Sequence, residues 1–171
     1  MKGCFHQFVF FPWNQDLFGF FDLFTDAYRL KNRLSGLEEM AFMGPASEKD
    51  CIARLAFQFY PKGMGFLNKH RDPVNYHQLV VPIFIMSQKG KEFHKGGLYV
   101  ESKKGERVFL DDVSDVGDVL YFKADLVHGV EKIDPGSNED WLDFQGRWMG
   151  LLAVNKLNFN DSVQDSQDLE A

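Results

Sequence analysis

Residues 66–77 read FLNKHRDPVNYH, and the meaning of the HRD at 70–72 decides what kind of fold and site the chain carries. On a β-strand, residues two apart project from the same face. His70 and Asp72 can therefore approach one ion side by side while Arg71 points away. The triplet alone says little. With 5 His and 25 acidic residues among 171, composition gives roughly 0.7 His-x-acid triplets in such a chain. Its surroundings have to decide.

A protein-kinase catalytic loop also opens on HRD, but it needs an Asn five residues after the Asp to hold magnesium. Asn75 follows Asp72 by only three positions. No GxGxxG loop and no Val-Ala-Ile-Lys strand precede it, and LDFQG at 142–146 carries an extra Gln145 where the kinase magnesium motif has none. That reading is excluded.

Size and composition narrow the field. A chain of 171 residues is long enough for one domain with a real core. Eighteen Phe, against 3 Trp and 5 Tyr, predict a Phe-rich interior. A net charge of −6 and a pI near 5.3 argue against sequence-independent nucleic-acid binding, which needs a basic face. Cys4 and Cys51 make neither a CxxC nor a disulfide framework and read as small buried hydrophobes in a reducing compartment. No apolar run reaches membrane-spanning length, and FVFF near the start lacks a signal peptide's cleavage site. The expectation is a cytoplasmic protein with no membrane or nucleic-acid partner. The Phe-rich strand at its very start also fits a piece of a longer protein.

Along the chain, CFHQFVFF reads as a strand ending at Pro12. Residues 14–36 read as helical support, with Asn14 as N-cap, a face of Leu17, Phe21, Phe24, Tyr28 and Leu34, and Gly36 as terminator. From Cys51 on, CIARLAFQFY, YHQLVVPIFIM, GGLYVES, RVFLDD, GDVLYFKA, LVHGVEKI and GRWMGLLAV are short β-type runs between Gly, Pro and Asp turns. That spacing predicts a mainly β sandwich or barrel with an N-terminal helical segment. Residues 1–157 then form one domain, and 158–171, rich in acids and without a base, read as a disordered tail.

A metal site needs a further ligand. His128 lies 56 residues beyond Asp72, near the start of a strand in GDVLYFKADLVHGVEKI. Two His and one carboxylate on one side of an ion leave open positions, the facial triad of non-haem Fe(II) oxygenases. Nineteen residues later, Arg147 stands in the apolar strand GRWMGLLAV. An arginine there is costly unless an anion meets it. The anion is either a bound dicarboxylate, held in two-pronged fashion, or an acid of the protein itself.

Taken together, YPKGMGFLNKHRD, GGLYV, GDVLYFKADLVHGVEKI and GRWMGLLAV resemble, in order, the 2-oxoglutarate/Fe(II)-dependent dioxygenase superfamily, in its prolyl-hydroxylase-like branch. The resemblance covers about Arg54 to Val154. It implies a double-stranded β-helix (jelly roll). It implies Fe(II) ligated by His70, Asp72 and His128, with O2 and the cosubstrate 2-oxoglutarate, and ascorbate as an accessory reductant. It assigns the far carboxylate of 2-oxoglutarate to Arg147 and a place near the cosubstrate to Tyr60. The implied reaction hydroxylates an unactivated C–H bond of a small-molecule or amino-acid/peptidyl substrate, releasing succinate and CO2. DPGSNEDWLDFQ at 134–145 departs from the pattern as an inserted loop, and no Ser follows Arg147 by two.

Arg54 and Gln58 share strand parity with Tyr60 and are candidate cavity and substrate residues. Asn75 and Tyr76, just past the metal motif, are weaker ones. The bases Lys89, Lys91, Lys95, Lys103, Lys104 and Arg107 read as a solvated rim, and His77 and His94 as structural or surface residues. Two alternatives stand beside the oxygenase: a metal-bearing cupin-like isomerase, which would not need Arg147, and a non-catalytic jelly-roll binding domain.

Overall fold

The computed structural model describes residues 2–13, 16, 18–74, 77–157 and 167–170; Asn14, Leu17, Asn75 and Tyr76 lie outside them. The elements are β1 (Gly3–Cys4), β2 (His6–Phe10), α1 (Phe20–Leu23), α2 (Thr25–Leu34), β3 (Cys51–Pro61), β4 (Phe66–Arg71), β5 (Val80–Ile85), β6 (Gly97–Glu101), β7 (Arg107–Phe109), a 3-10 turn at Leu110–Asp112, β8 (Val119–Lys123), β9 (His128–Glu131), β10 (Gly146–Lys156) and β11 (Gln167–Asp168).

The strands make two antiparallel sheets. One runs β2-β3-β10-β5-β8, the other β1-β4-β9-β6-β7 with β11 also on β4. From β3 to β6 and again from β8 to β10, successive strands alternate between the sheets, which gives a jelly-roll-like sandwich. Its longest ladder is β3 against β10, unbroken from Cys51↔Lys156 to Pro61↔Gly146. Pro82 pairs with Tyr121 on β8 but lies just past the last β5–β10 rung, Ile83↔Leu151, where its missing N–H costs nothing.

Period-2 alternation gives β3 and β10 two apolar faces. Tyr60, Met149, Ile83 and Ile85 point between the sheets with Leu98 and Val130. Leu55, Phe57, Leu152 and Val154 face outward, where Phe20, Phe21, Phe24 and Tyr28 of the helices cover them. Phe24 meets Phe84 edge-on at 4.4 Å. The expected Phe-rich interior is therefore split between two layers. Near the other end of this outer face, Trp141 of the 134–145 loop stacks on His6 at 3.7 Å, and Phe144 packs near Phe59 and Trp148.

The helical segment differs in detail from its sequence reading. It breaks into α1 and α2, and Asp16 caps α1 by accepting from the N–H groups of Phe20 and Phe21. Tyr28 is buried as expected, but Leu34 is 49% exposed, and the inward face continues through Lys31, Asn32 and Ser35. Asn32 wins that place because its side-chain amide donates to the carbonyls of Glu39 and Ala41, satisfying a loop that an aliphatic residue would leave unpaired. In the stretch expected to be a disordered tail, Gln167–Asp168 pairs antiparallel with Arg71 and His70. Cys4 and Cys51 are both free thiols.

Lys31 is the anomaly of this layer. It is fully buried, with its Nζ 3.4 Å from Asn32 Oδ1 and from the His77 carbonyl, and burial lowers its pKa from 10.5 to about 8. The folded state therefore disfavours the charged form. The penalty is full below about pH 8 and fades as pH rises towards the ordinary lysine value. A shift of this size corresponds to roughly 3 kcal/mol. Wild-type stability should rise between pH 8 and 10.5, and Lys31→Met should be more stable than wild type at pH 7, with the gap closing above pH 10. Urea midpoints across that range check both.

Candidate metal centre

β4 and β9 lie side by side, with Leu67 opposite Val130 and His70 opposite His128. Between those rungs β4 carries one residue more than β9, a β-bulge. Leu67 and His70 are three apart and in a regular strand would face opposite ways; the bulge turns both into the space between the sheets, as bulges beside functional sites commonly do. Gly129 lets the strands close up. A Cβ there would stand 2.8 Å from the Tyr99 hydroxyl and 2.9 Å from the Leu67 carbonyl. Asp72 follows the end of β4, where its N–H donates to the Ala124 carbonyl at 2.9 Å. Arg71 points away, its Nη1 donating to the Asp125 carbonyl.

These local features bring His70, Asp72 and His128 together. One ligand atom from each lies within 4.8 Å of the others. His70 Nε2 stands 3.6 Å from Asp72 Oδ1, and His128 Nε2 3.6 Å from Asp72 Oδ2. Both distances exceed a hydrogen bond. His70 Nδ1 lies 2.7 Å from the Asn68 carbonyl and His128 Nδ1 2.8 Å from that of Leu126. A carbonyl accepts only from N–H, so each neutral ring carries its proton on Nδ1 and turns an Nε2 lone pair to the centre. Burial, and then the neighbouring His128, push His70 below its ordinary pKa against the pull of Asp72, favouring the neutral ligand form. Two imidazoles and one carboxylate, preset in this way, fit a divalent metal such as iron.

The centre lies on the wall of a cavity of about 330 Å³. Tyr60, Gln58 and Arg54 of β3 line it, as their parity predicted, with Val81, Ile83, Leu98 and Met149 forming its apolar side. The Tyr60 hydroxyl donates to Gln58 Oε1 at 2.9 Å, and burial raises its pKa, so it is a neutral phenol. Arg54 is mostly buried. Its Nε finds no hydrogen-bond partner among the described residues, and Asp72 is one of its electrostatic neighbours.

Arg147 shares the inner face but meets a protein acid. Its Nε donates to Asp111 Oδ2 at 2.7 Å and its Nη2 to Asp111 Oδ1 at 2.9 Å, both side chains 1% exposed. Its Nη1 has no hydrogen-bond partner among the described residues. Among the described residues lining the cavity Arg147 does not appear. Of the two anions that its burial called for, a bound dicarboxylate or an acid of the protein, the structure shows the second on two of its three nitrogens. Asp111 also accepts from the Leu98 N–H at 2.5 Å, an approach that a Cβ at Gly97 would block. The sequence reading missed Asp111. The signal was there in the acid pair 111–112 beside an apolar run, together with an arginine demanding an anion. Of the basic rim, Lys89 pairs with Asp112 at 2.6 Å and Arg107 with Glu131 at 3.3 Å, outside the cavity lining. His94 and His77 stay away from the centre; His77 tilts against Phe42. Asn75 lies outside the described residues.

No family model and no curated protein matches the chain. Among solved structures it is similar to one described as the crystal structure of EvdMO1, at 20% identity and a TM-score of 0.40, over 62% of this chain. The chain spans only 27% of EvdMO1. No helix among the described residues is long and apolar enough to cross a membrane. Fold and site together define a β protein of two facing antiparallel sheets, with a His-x-Asp…His group between them that can bind a metal ion.

Two outcomes follow from this geometry. His70→Ala or His128→Ala should weaken Fe(II) or Zn(II) binding by about 100-fold or more, since each removes a preset ligand; calorimetric titration of the folded variants measures it. Asp111→Asn leaves a buried arginine uncompensated and should cost about 3–5 kcal/mol of stability, read from denaturant midpoints.

Proposed function

We propose that the chain is a non-haem Fe(II)- and 2-oxoglutarate-dependent dioxygenase on a double-stranded β-helix, hydroxylating an unactivated C–H bond of a small-molecule or amino-acid/peptidyl substrate. The observation that carries this reading is the convergence of His70 Nε2, His128 Nε2 and the Asp72 carboxylate on one point of the cavity wall, each imidazole fixed by a backbone carbonyl.

His70, Asp72 and His128 would hold the iron. When bound, the metal supplies oxygen chemistry in which a keto acid is decarboxylated to succinate and CO2 while a C–H bond is hydroxylated. The chain's own contributions are positional. Asp72 would offset one of the charges of a bound divalent ion, and His70 and His128 would supply its two neutral ligands. Val81, Ile83, Leu98 and Met149 keep one side of the cavity apolar and exclude water there. Tyr60, buried and neutral, orients Gln58 by donating to its carbonyl oxygen and leaves the amide N–H groups to face a ligand.

One observation favours a second reading. The Arg147–Asp111 pair occupies two nitrogens of the expected clamp, as suits a metal-bearing jelly roll that works without a keto acid. Anaerobic titration separates the two. Addition of 2-oxoglutarate to the Fe(II)-loaded chain should raise a visible charge-transfer band, absent in His70→Ala, and aerobic turnover should release succinate. Metal shown to be bound without any band would overturn the oxygenase reading.

A further inference from the structure

The inner face of β3 carries a cation, Arg54, that makes no ion pair with an acid among the described residues. Arg54 stands opposite Ala153 of β10, and helix α2 clamps that rung. The Tyr28 hydroxyl donates to the Ala153 carbonyl and accepts from the Arg54 N–H at 3.2 Å. The side chain then runs into the cavity with its Nε buried and without a hydrogen-bond partner among the described residues. Tyr28, its other electrostatic neighbour, is kept neutral by burial. A buried guanidinium nitrogen left without a partner is costly in an empty site and favourable once an anion arrives.

Charge balance says which anion. Arg147 and Asp111 cancel one another. A divalent ion less the Asp72 carboxylate leaves one positive charge, the two imidazoles add none, and Arg54 adds a second. A small dianion balances the metal centre and Arg54, whereas a monoanion on the metal leaves Arg54 unanswered; Lys156, which also lines the cavity, has an interaction of its own. Gln58, on the same face and with its amide N–H groups available, can share the same carboxylate.

We propose that Arg54 is a carboxylate anchor of this cavity, holding the remote carboxylate of a dicarboxylate whose other end meets the His70–Asp72–His128 group. The inference rests on the oxygenase reading for the identity of the dicarboxylate, but not for the role of Arg54.

The test uses the full chain loaded with Fe(II) under anaerobic conditions and three probes: 2-oxoglutarate, glutarate, which lacks the keto group, and 2-oxopentanoate, which lacks the remote carboxylate. Wild type should bind 2-oxoglutarate well above 2-oxopentanoate by calorimetry. Arg54→Gln should lose roughly 10- to 100-fold of its affinity for 2-oxoglutarate and glutarate, the worth of a charge-assisted hydrogen bond or two, with 2-oxopentanoate unchanged. Lys104→Ala, on the exposed rim, should match wild type. Circular dichroism and thermal melts verify folding; if Arg54→Gln does not fold, Arg54→Lys carries the same test, because an ammonium loses the two-pronged contact and must lower the preference for the dicarboxylate. A folded Arg54 variant that keeps the wild-type preference overturns the proposal, as does a wild type that binds no dicarboxylate. The two readings fail separately. A charge-transfer band of equal affinity in wild type and Arg54→Gln removes Arg54 and leaves the oxygenase. Glutarate binding that depends on Arg54, with no band from either keto acid, removes the oxygenase and leaves Arg54.

Discussion

The rung that sets His70 of β4 opposite His128 of β9 is the constraint on which the site depends. It is a register condition. A one-residue slip would send one imidazole to the outer face of the sheet. Three local features defend it: the extra residue in β4 between Leu67 and His70, the missing side chain at Gly129, and the hydrogen bond from Asp72 N–H to the Ala124 carbonyl. Each acts on backbone, so the two Nε2 atoms and the carboxylate converge before any ion is bound.

The facing sheet supplies the rest of the cavity by a different means. The long β3–β10 ladder fixes Arg54, Gln58 and Tyr60 at alternate positions of one strand. The helices then cover its opposite face through an aromatic layer. Tyr28 links these two roles, since it is a core residue whose hydroxyl is bonded to the Arg54–Ala153 rung. Damage to the helical layer is therefore transmitted to the cavity through that hydroxyl, although α2 contributes no residue to the lining.

Much of this was legible in the chain, and the reasons differ by feature. Period-2 alternation identified β3 and β10 and the shared face of Arg54, Gln58 and Tyr60. The spacing of His70 and Asp72 survived, although Asp72 lies just beyond the strand. The bulge was not legible, because an inserted residue leaves no trace in a hydrophobic pattern. Nor was the inward face of α2, where Lys31 and Asn32 displace Leu34: periodicity counts apolar side chains, and Asn32 is buried for its hydrogen bonds. The partner of Arg147 escaped because a strand and a 3-10 turn 36 positions apart meet only in the folded sandwich.

The two arginines of the inner face show why sequence can locate a buried cation without saying what it is for. Both stand in apolar strands, and both raise the same electrostatic demand. At Arg147 the charge is met within the protein, by Asp111, whose position in turn depends on the Leu98 N–H and on the open space above Gly97. In that pair the charges cancel, and the Asp111 carboxylate is held by three donors, while Nη1 of the guanidinium stays without a hydrogen-bond partner among the described residues. At Arg54 no acid among the described residues bonds the Nε, and Asp72, one of its electrostatic neighbours, is a residue that the metal would claim. The difference lies in tertiary partners alone. It makes one arginine part of the framework and leaves the other, by the same physical argument, as the residue for which a ligand is the natural counter-charge.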